Sequence, residues 1–207
     1  MYIPHHFQVE DPAPLFDLMR QFSFATLVST HEGTPVAAHL PFMLRPDAGP
    51  NGTLLGHMAR ANPQWRSFDP ECEVLTIFQG DHAYISPAWY LQHPSVPTWN
   101  YAVVHAYGLP RIVEDPDAVK RMLQELVHQH ESGFQTPWQM DLPPDYEANM
   151  IKGIVAFEIT LTRLEGKFKL SQNRGAPDRQ GVITALGGSS GVGKLMSAQE
   201  KLAASEP

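Results

Sequence analysis

The sequence has one cysteine, few cations and no long apolar run, and each shortage excludes a class of protein. Cys72 has no second thiol with which to form an internal disulfide or a thiolate metal cluster. Lys and Arg number 15 against 22 Asp and Glu, a formal net charge of −7. An acidic balance disfavours a broad basic face for nucleic acid, so the charge gives no support to DNA as a partner.

The sequence also lacks the marks of membrane, secreted and metal-binding proteins. No stretch approaches the roughly 18 uninterrupted apolar residues of a transmembrane helix. The start, MYIPHHF, has neither the basic residues nor the apolar run of a signal peptide. The ten histidines include no His-x-x-x-His pair. We therefore expect a cytoplasmic protein with no membrane partner, no metal site and no identifiable catalytic residue.

Proline is abundant instead, at 19 residues, and with 15 glycines it predicts short strands and frequent turns. Helix starts are indicated where Asp or Asn precedes proline, at Pro12, Pro63 and Pro116. Alternating apolar residues predict strands at 24–30, 35–45, 53–58, 73–79, 83–86, 98–114 and 154–164. Helical spacing predicts helices at 119–130, 144–152 and 179–186. About seven mostly antiparallel strands with helices outside predict one mainly β domain over 1–207, with a flexible tail at 187–207.

One familiar motif near the end is misleading. Gly188 to Lys194 fits the phosphate-binding pattern GxxxxGK, but Leu195 stands where that loop needs Ser or Thr for magnesium. Too few residues follow Lys194 for the helix and sheet that such a loop requires. The segment is therefore interpreted as part of the tail rather than as a nucleotide-hydrolysing site.

A more informative stretch is GHMARANPQW, which begins at Gly56. A strand ends here just before an Asn–Pro helix start, so free amides and the Arg60 guanidinium could bind a phosphate group. The alternative is an ordinary cap with a surface arginine.

Two further patterns leave several interpretations open. On the predicted strand 98–114, alternate residues from Trp99 to Tyr107 share a face that could stack a flat ligand or fill a barrel. Asn100 faces the other way and could supply a polar contact. Residues 163–179 hold five basic and two acidic side chains. That stretch could bind phosphate, meet a partner subunit or keep an edge solvated.

Taken together, MYIPHHF, HLPF, GHMARANPQW, AYISPAWY, VPTWNYAVVHAYG and KLSQNR resemble the PaiB family of FMN-binding negative transcriptional regulators. The resemblance covers nearly the whole chain. It implies a mainly β fold with peripheral helices (β+α), the antiparallel FMN-binding split β-barrel, which is related to pyridoxamine-phosphate oxidases and flavin reductases. It also implies a homodimer with its flavin sites between subunits.

The same resemblance implies which residues hold FMN. Arg60, with His57 and Asn62, would bind the phosphate. The isoalloxazine edge would lie along His39, Pro41 and Phe42. Further contacts would come from Trp99, Asn100, Gln172 and Arg174. The alternatives are a flavin-dependent oxidoreductase acting on a small planar substrate and, with less support, a haem-binding or haem-degrading variant of the same barrel.

Overall fold

The computed structural model describes residues 1–205, which form eight strands and five α-helices. The strands are β1 (Gln8–Val9), β2 (Phe24–His31), β3 (Thr34–Pro41), β4 (Met43–Arg45), β5 (Thr53–Ala59), β6 (Val74–Ile85), β7 (Thr98–Val113) and β8 (Ile154–Lys169). The helices are α1 (Pro12–Gln21), α2 (Pro116–Glu131), α3 (Pro144–Lys152), α4 (Ala176–Leu186) and α5 (Gly191–Ser205). None of these helices is both long and apolar enough to cross a membrane.

The strands belong to one sheet in the order β3-β2-β6-β7-β8-β5-β4, with β1 added against β8. The β2–β3 hairpin turns at Glu32 and Gly33, which both have positive φ, as a two-residue hairpin turn requires. The strands predicted at 24–30 and 35–45 are therefore joined by this turn. Strand β3 also packs near β5, which brings two distant members of the strand order together as a barrel requires.

The predicted proline-led starts are confirmed by their hydrogen bonds. Asp115 accepts from the amides of Asp117 and Ala118 at the start of α2, and Asp11 accepts from Ala13 at the start of α1. The start at Pro63 differs in kind because it opens only a short 3-10 helix, Pro63–Ser67.

Two predictions are corrected by the structure. The strands predicted separately at 73–79 and 83–86 form one strand, because β6 runs unbroken through a buried Gly80. The flexible tail expected from residue 187 is replaced by α5, whose Val192 and Met196 are buried. These two residues are four apart, so they lie on one face of the helix and pack into an apolar core. The end of the predicted tail, 206–207, lies outside the described residues.

The described chain packs as two compact units, which subdivide the single domain expected from the sequence. The first contains Met1–Leu18, Gln79–His105 and the chain from Glu165 onward; the second contains Met19–Phe78 and Ala106–Leu164. Strands β6, β7 and β8 each contribute residues to both. The second unit has a core built around Phe42, Phe78 and Phe157, and the first has a core around Ile85, Leu170 and Met196.

Candidate functional site

Six of the expected flavin contacts lie in the second unit. Strand β3, which stands at one end of the described strand order and pairs with β2, exposes His39 beside the exposed ring of Phe24, at 6.5 Å between ring centroids. Pro41 ends this strand and is half-buried. Phe42 behaves differently, since its side chain is buried against Phe78 and Phe157. It is a core residue, so the structure gives no support to a direct contact between its ring and a flavin.

Arg60 follows β5 and is held in one orientation by the end of α3 and the start of β8. Its Nε and Nη2 donate to the carbonyl oxygens of Lys152 and Ile154, each at 2.7 Å. These bonds arise because β5 pairs with β8, with Ala59 opposite Ile154. A guanidinium has five N–H donors, so three remain for another acceptor. Within the described residues no carboxylate pairs with Arg60.

The expected phosphate-binding amides beside Arg60 are already used. Asn62 accepts from the amide of Gln64 at 3.0 Å, and the helix that follows has only five residues. This short helix adds no substantial dipole to the site, and its start matches the ordinary cap that the sequence left open as the alternative. The charge at this position therefore comes from Arg60 itself.

His57 lies half-buried on β5, opposite Ala156 of β8. Its Nδ1 is buried and has no hydrogen-bond partner among residues 1–205, and burial lowers the pKa of the ring below its ordinary value. A neutral imidazole with an unpaired buried nitrogen costs free energy unless a ligand or a water satisfies it. His57 therefore has the chemistry of a binding residue.

A cleft of about 390 Å³ opens beside Arg60. Its walls are mainly apolar side chains, including Val113, Val119 and Ile154, and the Trp65 indole lies among them. Two cationic residues, Arg60 and Lys152, and one acidic residue, Glu114, also line it. A flat apolar ring with an anionic tail fits this combination of groups. Lys152 is absent from the sequence-based prediction, because only the β5–β8 pairing reveals that residue 152 lies beside residue 60. Trp65 is also absent, although it lies in the GHMARANPQW stretch.

The other four expected contacts lie in the first unit, where three have structural partners. Asn100 is fully buried and donates to the Ser171 hydroxyl at 2.9 Å and to the Met196 sulfur at 3.5 Å. Its side chain has no exposed atom to offer a flavin. Gln172 accepts from the amide of Leu170 and donates to the carbonyl of Phe168, so both ends of its amide are engaged.

Arg174 holds the loop before β7 against the start of α4. It donates to the Ser95 hydroxyl at 3.2 Å, lies over the ring of Tyr90 and approaches the Asp178 carboxylate at 4.0 Å. Asp178 is buried and accepts from two amides of the same loop. Arg174 and Asp178 together thus hold this loop through hydrogen bonds to Ser95, Leu91 and Gln92.

Trp99 alone among these four presents a largely exposed side chain, at 53%. It lies between His82 and Tyr84 of β6, with ring centroids 6.0 and 5.9 Å away. The alternation along β7 explains its position, because the neighbouring Asn100 points into the core.

Comparisons with known proteins agree with this fold and flavin chemistry. The family model described as "Putative FMN-binding domain" matches residues 1–163. The "Protease synthase and sporulation protein PAI 2" of Bacillus subtilis is 39% identical over 189 residues, 90% of this chain and 89% of that protein. An uncharacterized protein of Emericella nidulans is 37% identical over 72% of this chain and 74% of its own.

A solved structure supports the fold independently. The FAD and haem binding protein of Mycobacterium smegmatis superposes with a TM-score of 0.62 over 87% of this chain and 80% of its own, at 16% identity. At that identity the likeness concerns the fold alone. The chain belongs to the PaiB family of FMN-binding proteins and has their antiparallel split β-barrel fold.

Proposed function

We propose that the protein is a homodimeric FMN-binding regulator that affects transcription indirectly or through a partner. Membership of an FMN-binding family supports the cofactor. The Bacillus subtilis relative, whose name refers to sporulation, supports a regulatory role. Among the geometric observations, the one that carries the proposal is the Arg60 guanidinium, fixed by two carbonyl oxygens at the mouth of an apolar cleft.

The residues of this cleft suit FMN. Arg60 retains unused N–H donors, so a phosphate beside it would receive charge-assisted hydrogen bonds, and Lys152 balances the charge of Glu114 in the same lining. The apolar walls and the Trp65 indole suit a flat ring system. His57, with its unpartnered Nδ1, is a further polar group on the adjacent strand. Bound FMN would supply hydride or electron transfer, while the chain's own residues bind and orient it.

The cofactor and the assembly are tested together on the purified protein. We expect flavin absorption bands in the visible spectrum and sedimentation at the mass of two chains. A colourless protein that takes up no added FMN, or one that sediments as a single chain at micromolar concentration, contradicts the corresponding part of the proposal.

Indirect action follows from the distribution of charge. Helix α2, the longest described helix, carries three carboxylates and two cations, which is unlike a helix that enters the major groove of DNA. We expect no retardation of promoter DNA at physiological salt. Retardation that disappears when the basic residues of 163–179 are neutralised would show that the protein contacts DNA itself.

A flavin-dependent oxidoreductase is the second candidate, and the exposed aromatic group around Trp99 is the observation that favours it. Such a face could receive a small planar substrate. NAD(P)H oxidation by the FMN-loaded protein, saturable in an added substrate, would support this function. If no reductant supports turnover, the oxidoreductase is excluded and the regulator remains as the proposed function.

A further inference from the structure

A cavity of about 500 Å³ lies at the end of helix α2, where the chain leaves the helix and turns back along it. We call it the Trp138 cavity. Its apolar lining comes from Val127, Pro137, Trp138 and Met140. A cavity of this size accommodates a small organic molecule. All of its lining residues belong to the second unit, so the cavity is formed within one compact part of the chain.

One hydrogen bond positions the aromatic wall of the Trp138 cavity. The Glu131 carboxylate, on the last residue of α2, accepts from the backbone amide of Trp138 at 2.7 Å. The Trp138 side chain is 50% exposed, so it is not needed to fill a core. An indole whose backbone is fixed and whose ring is half exposed offers its face to a ligand at a low entropic cost.

The charged groups of the cavity are of one sign. Glu131 and Asp141 line it, and its lining includes no lysine or arginine. Within residues 1–205 neither carboxylate pairs with a cation, since the only bond to the Glu131 carboxylate comes from the neutral Trp138 amide. The one imidazole in the lining belongs to His128. The cavity therefore carries two unneutralised carboxylates when its imidazole is neutral.

The surrounding segment does not neutralise these carboxylates. The chain between β7 and β8 has eight acidic residues and only three lysines or arginines. Lys120 pairs with Glu147 at 2.7 Å. Arg121 approaches Asp115 at 3.8 Å, and Lys152 lines the separate cleft beside Arg60. An anion such as the phosphate of FMN is therefore disfavoured in the Trp138 cavity, whereas a cation is attracted to it.

The lining indicates an organic cation rather than a metal ion. His128, Glu131 and Asp141 all line the cavity, yet in the described part of the chain no three His, Cys, Asp or Glu side chains are placed to hold a metal ion. An organic ammonium ion gains from every group present. Its charge is attracted by carboxylates and by the face of an indole, and its carbon chain packs against apolar walls.

We propose that the Trp138 cavity binds a small aliphatic amine in its ammonium form. The nitrogen donates to the carboxylates of Glu131 and Asp141, and the carbon chain lies against Trp138 and Met140. This assignment goes beyond the proposed function, because it requires neither a bound flavin nor a second subunit.

The test is a calorimetric titration of the full-length protein at pH 8 with pentylamine and, separately, with pentan-1-ol, which has the same carbon chain and no charge. We expect pentylamine to bind with a Kd below about 1 mM. It should bind at least tenfold more tightly than pentan-1-ol, because only the ammonium ion forms charge-assisted hydrogen bonds with the two carboxylates.

Matched variants locate the charge recognition. Glu131→Gln/Asp141→Asn removes both charges but keeps an acceptor for the Trp138 amide, and it should abolish the preference for pentylamine. Asp117→Asn/Asp145→Asn removes two exposed carboxylates of the same segment that do not line the cavity. This control should retain the affinity for pentylamine within twofold. An equal loss in the two double variants would assign the effect to the general charge of the segment and overturn the proposal.

Fluorescence shows whether the amine lies against Trp138. We expect pentylamine to change the emission of the wild type and of Trp99→Phe, which alters an exposed tryptophan elsewhere, but not that of Trp138→Phe. The proposal is overturned if pentylamine does not bind the wild type, if it binds no more tightly than pentan-1-ol, or if Glu131→Gln/Asp141→Asn binds it as the wild type does. FMN titrated into the same variants should bind with unchanged affinity, so a failure of the flavin proposal is measured separately.

Discussion

The guanidinium Nε of Arg60 lies 2.7 Å from the carbonyl oxygen of Lys152, and Lys152 lines the same cleft as Arg60 and Glu114. The backbone of Lys152 thus orients the arginine within the cleft. This arrangement is typical of a preorganised anion site, because the arginine loses little further freedom when it binds.

Replacing Arg60 tests this site directly. Arg60→Ala should weaken FMN binding by about 1.5–3 kcal/mol, the scale of a lost charge-assisted hydrogen bond. A flavin-fluorescence titration measures the effect, with Arg121→Ala as a control that removes an exposed arginine of α2. Unchanged affinity would remove Arg60 from the phosphate role.

Asn100 should affect stability rather than cofactor binding. Asn100→Ala breaks its bond to the Ser171 hydroxyl inside the first unit, and we expect the free energy of unfolding to fall by about 1–3 kcal/mol. Urea denaturation measures this change. A weakened FMN affinity at unchanged stability would contradict the structural role.

His57 should make the protein less stable in mild acid. Burial lowers its pKa in the folded state below the ordinary 6.5, so the unfolded chain takes up a proton first as the pH falls. The stabilisation is complete above pH 6.5 and decreases progressively below it. Unfolding curves between pH 7.5 and 5 should show this slope, and His57→Gln should reduce it. An equal slope in that variant would assign the pH dependence to other groups.

Cys72 should react slowly for an exposed thiol. The hydrogen bond and the charge of Asp69 raise its pKa above the ordinary value, which reduces the reactive thiolate. Alkylation by iodoacetamide at pH 8 should therefore be faster in Asp69→Asn than in the wild type. Equal rates in the two proteins would exclude Asp69 as the cause.

Gly181 should not tolerate a side chain. A Cβ at this position of α4 would overlap the backbone carbonyl oxygen of Trp89, which cannot rotate away as the end of a side chain can. We expect Gly181→Ala to cost about 1–3 kcal/mol of stability, while Gly188→Ala, with open space around it, should cost much less. Thermal unfolding compares the two. A Gly181→Ala protein as stable as Gly188→Ala would contradict this contact.

The strands and caps follow closely from local sequence, whereas the site depends on long-range pairing. Alternation locates β7 to within one residue of its end, and Asp115 is recognised from its own neighbourhood. Side-chain direction at Phe42 is less predictable, because the strand expected over 35–45 is interrupted there and the ring turns into the core. No local sequence pattern indicates that Lys152 lies beside Arg60, since the β5–β8 pairing alone brings them together. The helix α5 is missed for a different reason: its glycines favour a loop, and only packing of Val192 and Met196 into a core overrides that preference.

The core of the first unit has a consequence for the order of events during synthesis. Ile85 and Tyr90 share this core with Val192 and Met196, and the Met1 amino group pairs with Glu165. The second unit ends at Leu164, so all of its residues are synthesised before Glu165, Val192 and Met196, which the first unit needs. A chain emerging from the ribosome can therefore complete the second unit first. Until Val192 and Met196 are made, the apolar side chains at the end of β6 and in the loop that follows lack their core partners. The nascent chain is then most exposed to aggregation.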